Sequence, residues 1–398
     1  MFDALKIKNF RLYWFGMFIS LIGTWIQIMA QSWLVFDLTK SAFLLGVAGF
    51  LSTVPVFFLS LWGGVVADRA NKRNILLLTQ SAFMVLAFAL GVLTQFKIVT
   101  VGQIMLISLL NGIVMAFDGP SRLSVIVELV GKEYLMNAIA LNSIAFNASR
   151  IIGPVLCGIL VASIGLSGCF YINGVSFMAL IAALIFIKTN SGLKNGKNNS
   201  AFSDIKDGLR FIKGNRTILI LVTMVGVVSL FGAPYLILMP IFADQVFHVG
   251  VKGLGLLMSS SGVGAVIGAL LLARLGDFKY KGRILMLSSL IFSSALILFS
   301  LVKVFTVAII ALAFIGAASV MAVAIINTIL QTMVNDEFRG RVMSVFMLTF
   351  AGVMPFGSLL SGSLAHTLGV SLTVMINGII CAVFFIIINL LYPQIQKV

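Results

Sequence analysis

Twelve nearly unbroken apolar stretches run along this chain, separated by short polar turns. They cover 12–36, 42–66, 75–95, 99–118, 138–163, 168–187, 218–242, 251–273, 284–302, 305–330, 342–366 and 370–391. Each is close to the roughly 20 apolar residues a helix needs to cross a bilayer. Lipid offers no partners to backbone N–H and C=O groups, so a run of this length is stable there only as a helix. The pattern predicts an all-α membrane protein with twelve transmembrane helices in two six-helix bundles.

One long polar stretch, 188–217, interrupts the series after the sixth span. It divides the chain into an N-terminal bundle, 1–187, a connecting segment, 188–217, and a C-terminal bundle, 218–398. The second part of the connection has helical periodicity. Phe202, Ile205, Leu209 and Ile212 share one face, with Asp204, Lys206, Asp207, Arg210 and Lys213 elsewhere. It reads either as a helix lying on the membrane surface or as a partly ordered linker.

Composition sharpens the class. Charged residues make up 10% of the 398 and hydrophobic residues 60%, whereas a soluble domain carries about a quarter charged residues. The formal net charge of +15 invites a nucleic-acid reading, but its distribution argues against one. Of the 27 Lys and Arg residues, 22 fall at the termini and in even-numbered connections, against four (Lys40, Lys97, Lys252, Lys303) on the other side. This asymmetry is an insertion signal that places both termini in the cytoplasm. Cys157, Cys169 and Cys381 lie within or at the ends of spans and read as small packing residues. The first apolar run is too long for a signal-peptide core. No phosphate-binding glycine loop and no His/Cys metal spacing appears, so neither nucleotide hydrolysis nor a metal cofactor is expected, and the chain does not read as an enzyme.

The turn after the second span reads Gly64-Val65-Val66-Ala67-Asp68-Arg69-Ala70-Asn71-Lys72-Arg73. Gly64 and Asp68, four apart, share a face at the helix end, and Gly64 is the position expected to let a neighbouring helix approach. Asp68 can accept from the exposed N–H groups of an adjacent helix N-terminus. Arg69 and Arg73 can bind carbonyls or carboxylates, and Asn71 suits a left-handed turn. These residues form either a gating latch or an ordinary basic loop with a capping Asp.

The halves resemble each other. Leu129–Leu135 and Met333–Arg339 occupy equivalent places, and spans five and eleven end at Gly165 and Gly369. Parallel repeats of this kind are how many transporters build a central pathway.

The Gly64–Arg73 segment resembles the signature loop of the major facilitator superfamily, with Asn71 where that family usually has Gly. Asn9-Phe10-Arg11, Gly23-Thr24-Trp25, Gln31-Ser32-Trp33-Leu34, Arg150-Ile151-Ile152-Gly153-Pro154 and Arg339-Gly340-Arg341-Val342 resemble the efflux branch that contains macrolide and enterobactin-type siderophore exporters. The likeness covers nearly the whole chain and is silent about substrate. It implies secondary active export of a bulky amphipathic compound, driven by proton antiport, from a monomer in the inner membrane. Within it, Gly153, Pro154 and Gly158 look like a shortened antiporter motif, a pliable helix for bundle motion; the alternative is a proline-kinked helix without a gating role.

Polar residues inside spans are costly and usually face other helices or a wet cavity. Gln27, Gln31, Asn111, Asn147, Asn327 and Gln331 are candidates for a substrate-cavity wall, or for interhelical hydrogen bonds. Asp118 and Arg150 are placed to pair across spans four and five, as a proton site or as a structural ion pair. Asp37 and Asp244 are weaker proton candidates. Two competing functions stay open: a facilitator or importer of a lipid or nutrient on the same fold, and a non-transporting scaffold or sensor. The expected partners are a small-molecule substrate and membrane lipids, with no nucleic acid and no cofactor beyond the proton gradient.

Overall fold

The computed structural model describes residues 3–187, 201–276 and 280–397; the side chains of Leu61, Asp68, residues 201–204 and Lys397 also lie outside the description. The first part of the connecting segment, and Asp277, therefore lie outside the described residues. The described chain is all helical. Its elements are α1 (Lys8–Thr39), α2 (Ala42–Arg69), α3 (Lys72–Gln95), α4 (Val101–Val130), α5 (Leu135–Phe186), α6 (Ala201–Gly214), α7 (Arg216–Val227), the single turn α8 (Met239–Ile241), α9 (Gly250–Leu275), α10 (Lys281–Leu301), α11 (Phe305–Met333), α12 (Asp336–Gly352), α13 (Met354–Leu368) and α14 (Val370–Leu391).

Eleven helical stretches among the described residues are long and apolar enough to cross a membrane. One of them, α5, has 52 residues. A straight helix of that length would extend about 78 Å, more than twice the hydrocarbon core. Its helix breaks at Gly165 (φ +70°, ψ −178°), so α5 supplies two spans and the crossings number twelve. Gly369 adopts the matching conformation (φ +84°, ψ 158°) between α13 and α14. An L side chain is strained at such positive φ, which explains why both repeats place glycine there.

Two spans are irregular for a chemical reason. Between α7 and residue 246 the helix widens to π turns at Val228–Gly232 and Phe242–Val246, and tightens to a 3-10 turn at Ala233–Leu236. Pro234 and Pro240 lack the N–H that a regular helix requires. The span Asp336–Leu368 parts at Val353, two residues before Pro355, where the proline ring disfavours the helical backbone upstream.

The chain forms two compact units. The first comprises 1–40, 51–197 and 251–255; the second comprises 41–50, 198–250 and 256–398. In the first unit α1 packs against both arms of α5. A Cβ on Gly153 would lie 2.4 Å from Trp25 Cβ, and one on Gly23 would lie 2.1 Å from Ser176 Oγ. In the second unit α9 and α11 meet backbone to backbone. A Cβ on Gly264 would lie 1.8 Å from the Ala313 carbonyl oxygen, and one on Gly316 would lie 2.0 Å from that of Ser261. Small residues at such crossings let helices gain dispersion contacts that lipid does not supply.

Three expectations need correction. Helix α4 continues to Val130 rather than stopping near 118, and α12 starts at Asp336 rather than 342; the apolar limit of a span is not the limit of its hydrogen-bonded helix. The connection between α5 and α7 does contain a helix, α6, but its packed face differs from the periodic one. Leu209 is 44% exposed while Ile212 is 2% exposed. The contact is made by Gly208, where a Cβ would lie 2.7 Å from the Arg341 carbonyl oxygen, and by Phe211, stacked on Phe338 at 4.7 Å. Close approach of α12 selects the glycine side of the helix, so α6 rests on protein there. Asp207 stands between Arg210 (3.7 Å) and Arg341 (4.0 Å).

Candidate functional site

The charged turn joins α2 to α3. Gly64 faces open space, whereas a Cβ on its neighbour Gly63 would lie 2.1 Å from the Ala116 carbonyl oxygen of α4. The close-approach glycine is thus Gly63, not Gly64: one residue turns a helix by about 100°. Asn71 has φ −68° and caps α3, its side chain accepting from the Asn74 N–H at 3.3 Å. The left-handed turn expected there is absent, because an N-cap sits in extended backbone. Arg73 donates to the carbonyls of Leu184 (2.5 Å) and Ile185 (2.9 Å). These belong to the last turn of α5, where the carbonyls have no helical acceptor role and a cation complements the dipole. Lys72 pairs with Glu128 of α4 at 2.5 Å. Arg69 is exposed, and the side chain of Asp68 lies outside the described residues.

A buried polar cluster stands deeper in the same unit. Asp118 is 1% exposed and is the only carboxylate among the buried residues described. Its Oδ1 accepts from Thr79 Oγ1 (2.8 Å) and Gln80 Nε2 (2.7 Å) on α3. Its Oδ2 accepts from Arg122 Nε, one turn along α4. Gln80 reaches on to α1, its Oε1 accepting from Ser20 Oγ at 3.4 Å. The expected Asp118–Arg150 pair is therefore replaced by Asp118–Arg122. The reason is local: i,i+4 residues share a helix face, and α4 extends far enough to keep Arg122 helical. Arg122 Nη1, on the guanidinium that holds this carboxylate, is buried without a hydrogen-bond partner, as is Tyr13 Oη of α1.

The fifth-span motif is tightly packed. Besides Gly153 on Trp25, a Cβ on Gly158 would lie 3.2 Å from Lys252 Cα, and one on Gly255 would lie 2.5 Å from the Pro154 carbonyl oxygen. All these residues belong to the first unit. The amides separate into two groups. Gln27, 7% exposed, accepts from Asn173 Nδ2 at 2.7 Å, and Gln31 donates to Ser108 at 2.8 Å; both amides hold α1 to neighbouring helices of the first unit. Asn111 and Asn147 are half-buried, and Asn147 bonds the Ser143 carbonyl of its own helix at 2.9 Å. In the second unit Gln331 donates to Asn327 at 3.0 Å on the exposed side of α11. Asp37 is exposed and pairs with Lys40 at 3.1 Å.

Sequence reasoning missed Arg122, Tyr13, Thr79, Gln80 and Asn173. The Asp118/Arg122 spacing was the available signal for the first. Nothing in the sequence joins Thr79 and Gln80 to Asp118, because a contact across 38 or 39 positions depends on how the helices pack.

Twelve spans built from repeated halves, with a basic turn after the second, define the chain as a secondary transporter with the major facilitator fold, and not an enzyme. It belongs to the MFS_3 family of transmembrane secretion effectors, whose profile matches residues 1–397. Among its relatives, the staphyloferrin A transporter of Staphylococcus aureus is 28% identical, with 96% of each chain covered. The enterobactin exporter of Salmonella choleraesuis is 25% identical, covering 96% of this chain and 91% of that one. Macrolide efflux protein A of Streptococcus pyogenes is 24% identical, covering 100% and 98%. Among solved structures, a bacterial homologue of the human lysosomal transporter Spinster aligns with TM-score 0.74 over 98% of both chains at 14% identity. A POT family transporter aligns with TM-score 0.76 over 98% and 97% at 13% identity. At that identity the structural likeness speaks for the fold alone.

Proposed function

We propose that the chain exports a bulky, amphipathic organic compound, a siderophore or a drug, across the cell membrane by alternating access, with proton antiport as the energy source. The carrying observation is the end-to-end similarity to three proteins whose names describe transport or efflux of such compounds. In this reading both termini are cytoplasmic, the working bundles are 1–187 and 218–398, and the protein acts as a monomer among membrane lipids. Asp68, Arg69 and Arg73 stabilise the closed inner gate, while Gly153, Pro154 and Gly158 permit bundle motion. Gln31, Asn111, Asn147, Asn327 and Gln331 offer polar contacts to substrate. Gln27 is better read as a packing amide, since Asn173 already occupies it.

The test is a deletion strain screened against macrolides and other amphipathic antibiotics, and assayed for siderophore in the medium. Loss of secretion or a gain in sensitivity, restored by the intact gene, is the expected result. Loss of uptake would establish the importer reading. Purified protein that moves none of these compounds in liposomes would favour the scaffold.

A further inference from the structure

We propose that a cleft between α9 and α10, on the lipid-facing side of the second unit, binds one anionic phospholipid, its acyl chain lying over α11 and its phosphate held by Arg274 and Arg283. The proposal goes beyond the export reading and needs only that the spans lie in a bilayer.

Packing in the second unit leaves a long space open. Helices α9 and α10 flank α11, and Gly264 and Gly268 bring α9 onto the α11 backbone at Ala313 and Ala317. Small residues therefore floor the cleft. Its walls are longer side chains, Ile267 and Leu271 of α9 and Leu287 and Ile291 of α10, all exposed. Two cavities lie along it. One of about 360 Å³ stands between α9, α10 and α11, and one of about 380 Å³ continues between α10 and α11; Ile291 and Phe314 line both. Each has the volume of a small-molecule pocket. On α10 the cavities reach from Ile284 to Leu298, about 21 Å along the helix, against roughly 15 Å for one leaflet of hydrocarbon. The cleft is long enough to take an acyl chain end to end.

Charge at one end of the cleft selects the lipid. Arg274 lies one turn beyond Leu271 on α9, and Arg283 one turn before Leu287 on α10, so each shares a helix face with a wall residue. Both arginines are exposed. The Arg283 guanidinium stands 4.5 Å from the centre of the Tyr280 ring, and Tyr280 is itself exposed, as tyrosines at the level of lipid headgroups are. Between Gly250 and Met333 the sequence has one acid, Asp277, which lies outside the described residues; the next, Asp336, pairs with Arg339 at 2.6 Å. An apolar cleft ending in two guanidinium groups matches a molecule with a hydrocarbon chain and an anionic head. Arginine grips phosphate with paired N–H···O bonds. A zwitterionic lipid would bring an ammonium back against the arginines, so the match is to the anionic class, of which phosphatidylglycerol is one. A second copy of the chain fits worse. Related by a two-fold axis along the membrane normal, it would set its own Arg274 and Arg283 at the same depth, like charge facing like.

The probe is phosphatidylglycerol with a photoreactive group in one acyl chain, present at a low fraction in phosphatidylcholine liposomes that hold the full-length protein. Phosphatidylcholine carrying the same group is the reference. Phosphatidylglycerol should label the peptides containing Leu271, Leu287 and Phe314 in clear excess over the reference. Arg274→Gln together with Arg283→Gln should lower that labelling by about fivefold for each arginine removed, toward the level of the reference. Unlabelled phosphatidylglycerol should suppress labelling of the wild-type protein where the same amount of phosphatidylcholine does not, a readout that needs no variant. Equal labelling by the two lipids, labelling that the double variant leaves unchanged, or unlabelled peptides of the kind a second copy covering the cleft would produce, would each overturn the site. Labelling needs no transport, so failure to find an exported compound would count against the proposed function and leave this result standing.

Discussion

The two compact units bury different polar chemistry. In the first, the interior holds a carboxylate, its arginine, and amides that reach between helices: Asp118, Arg122, Gln80, and the Gln27–Asn173 pair. In the second, the buried polar side chains among the described residues are serines, one threonine and Asn377. Many of those hydroxyls bond a carbonyl of their own helix, as Ser288, Ser289, Ser293 and Ser300 do. Halves that repeat in topology have therefore diverged in electrostatics. A buried carboxylate and amides tie helices together in the first unit, whereas many buried hydroxyls of the second turn back on their own helix. Close glycine contacts occur in both units, at Gly63 and Gly153 as at Gly264 and Gly316, so the units differ in buried charge and not in closeness of fit.

The largest expected effect breaks the charged side of this contrast. Arg122→Leu strands Asp118 as an unpaired buried anion, at a cost of about 3–5 kcal/mol. Thermal melting in detergent should show a protein that barely holds its fold. Asp118→Asn combined with Arg122→Leu should recover part of that loss, because the remaining amide carries no charge to bury. A single variant within about 1 kcal/mol of wild type would mean that water already reaches the pair, and the contrast between interiors would fail.

The next effect tests the close fit that the units share. Gly264→Ala forces a methyl against the Ala313 carbonyl oxygen and should cost about 1–3 kcal/mol through overpacking. Gly64→Ala is its control, since that position faces open space; it should be neutral, or stabilise by up to about 1 kcal/mol through helix propensity. Equal losses at both positions would show that the spacing of α9 and α11 is looser than the backbone contact implies.

These two cases also mark what the sequence could convey. The span count, the repeat and the turn at Gly165 were legible because each rests on local chemistry: apolar length, and a glycine where φ is positive. Gly64 was chosen over Gly63 because spacing relative to Asp68 was visible and the facing helix was not. The Asp118–Arg122 pair was hidden by an edge error, since Arg122 was placed in a connection when α4 still carries it. The packed face of α6 was misjudged for a related reason. Periodicity ranks hydrophobic residues, yet the partner helix selected Gly208. Local rules set the elements, and three-dimensional neighbours decide which side of each element matters.

The smallest expected effect asks whether the second unit depends on its polar interior at all. Ser293 is fully buried, a setting in which a lost hydrogen bond is ordinarily expensive. Its hydroxyl donates to the carbonyls of Ser289 and Leu290, at 3.0 and 3.1 Å. Both carbonyls lie within α10, where the helix supplies them with N–H donors of its own. Ser293→Ala therefore leaves no orphan acceptor, removes one buried hydroxyl, and gains about 0.5 kcal/mol of helix propensity. The net change in melting stability should stay within about 0.5 kcal/mol of zero. Thr79→Val, which also exchanges a hydroxyl for a methyl, removes a donor from a buried carboxylate and should cost about 1.5–3 kcal/mol. If Ser293→Ala proves as damaging as Thr79→Val, the serines of the second unit bear weight that their back-bonding geometry does not account for. The division of labour between the units would then have to be abandoned.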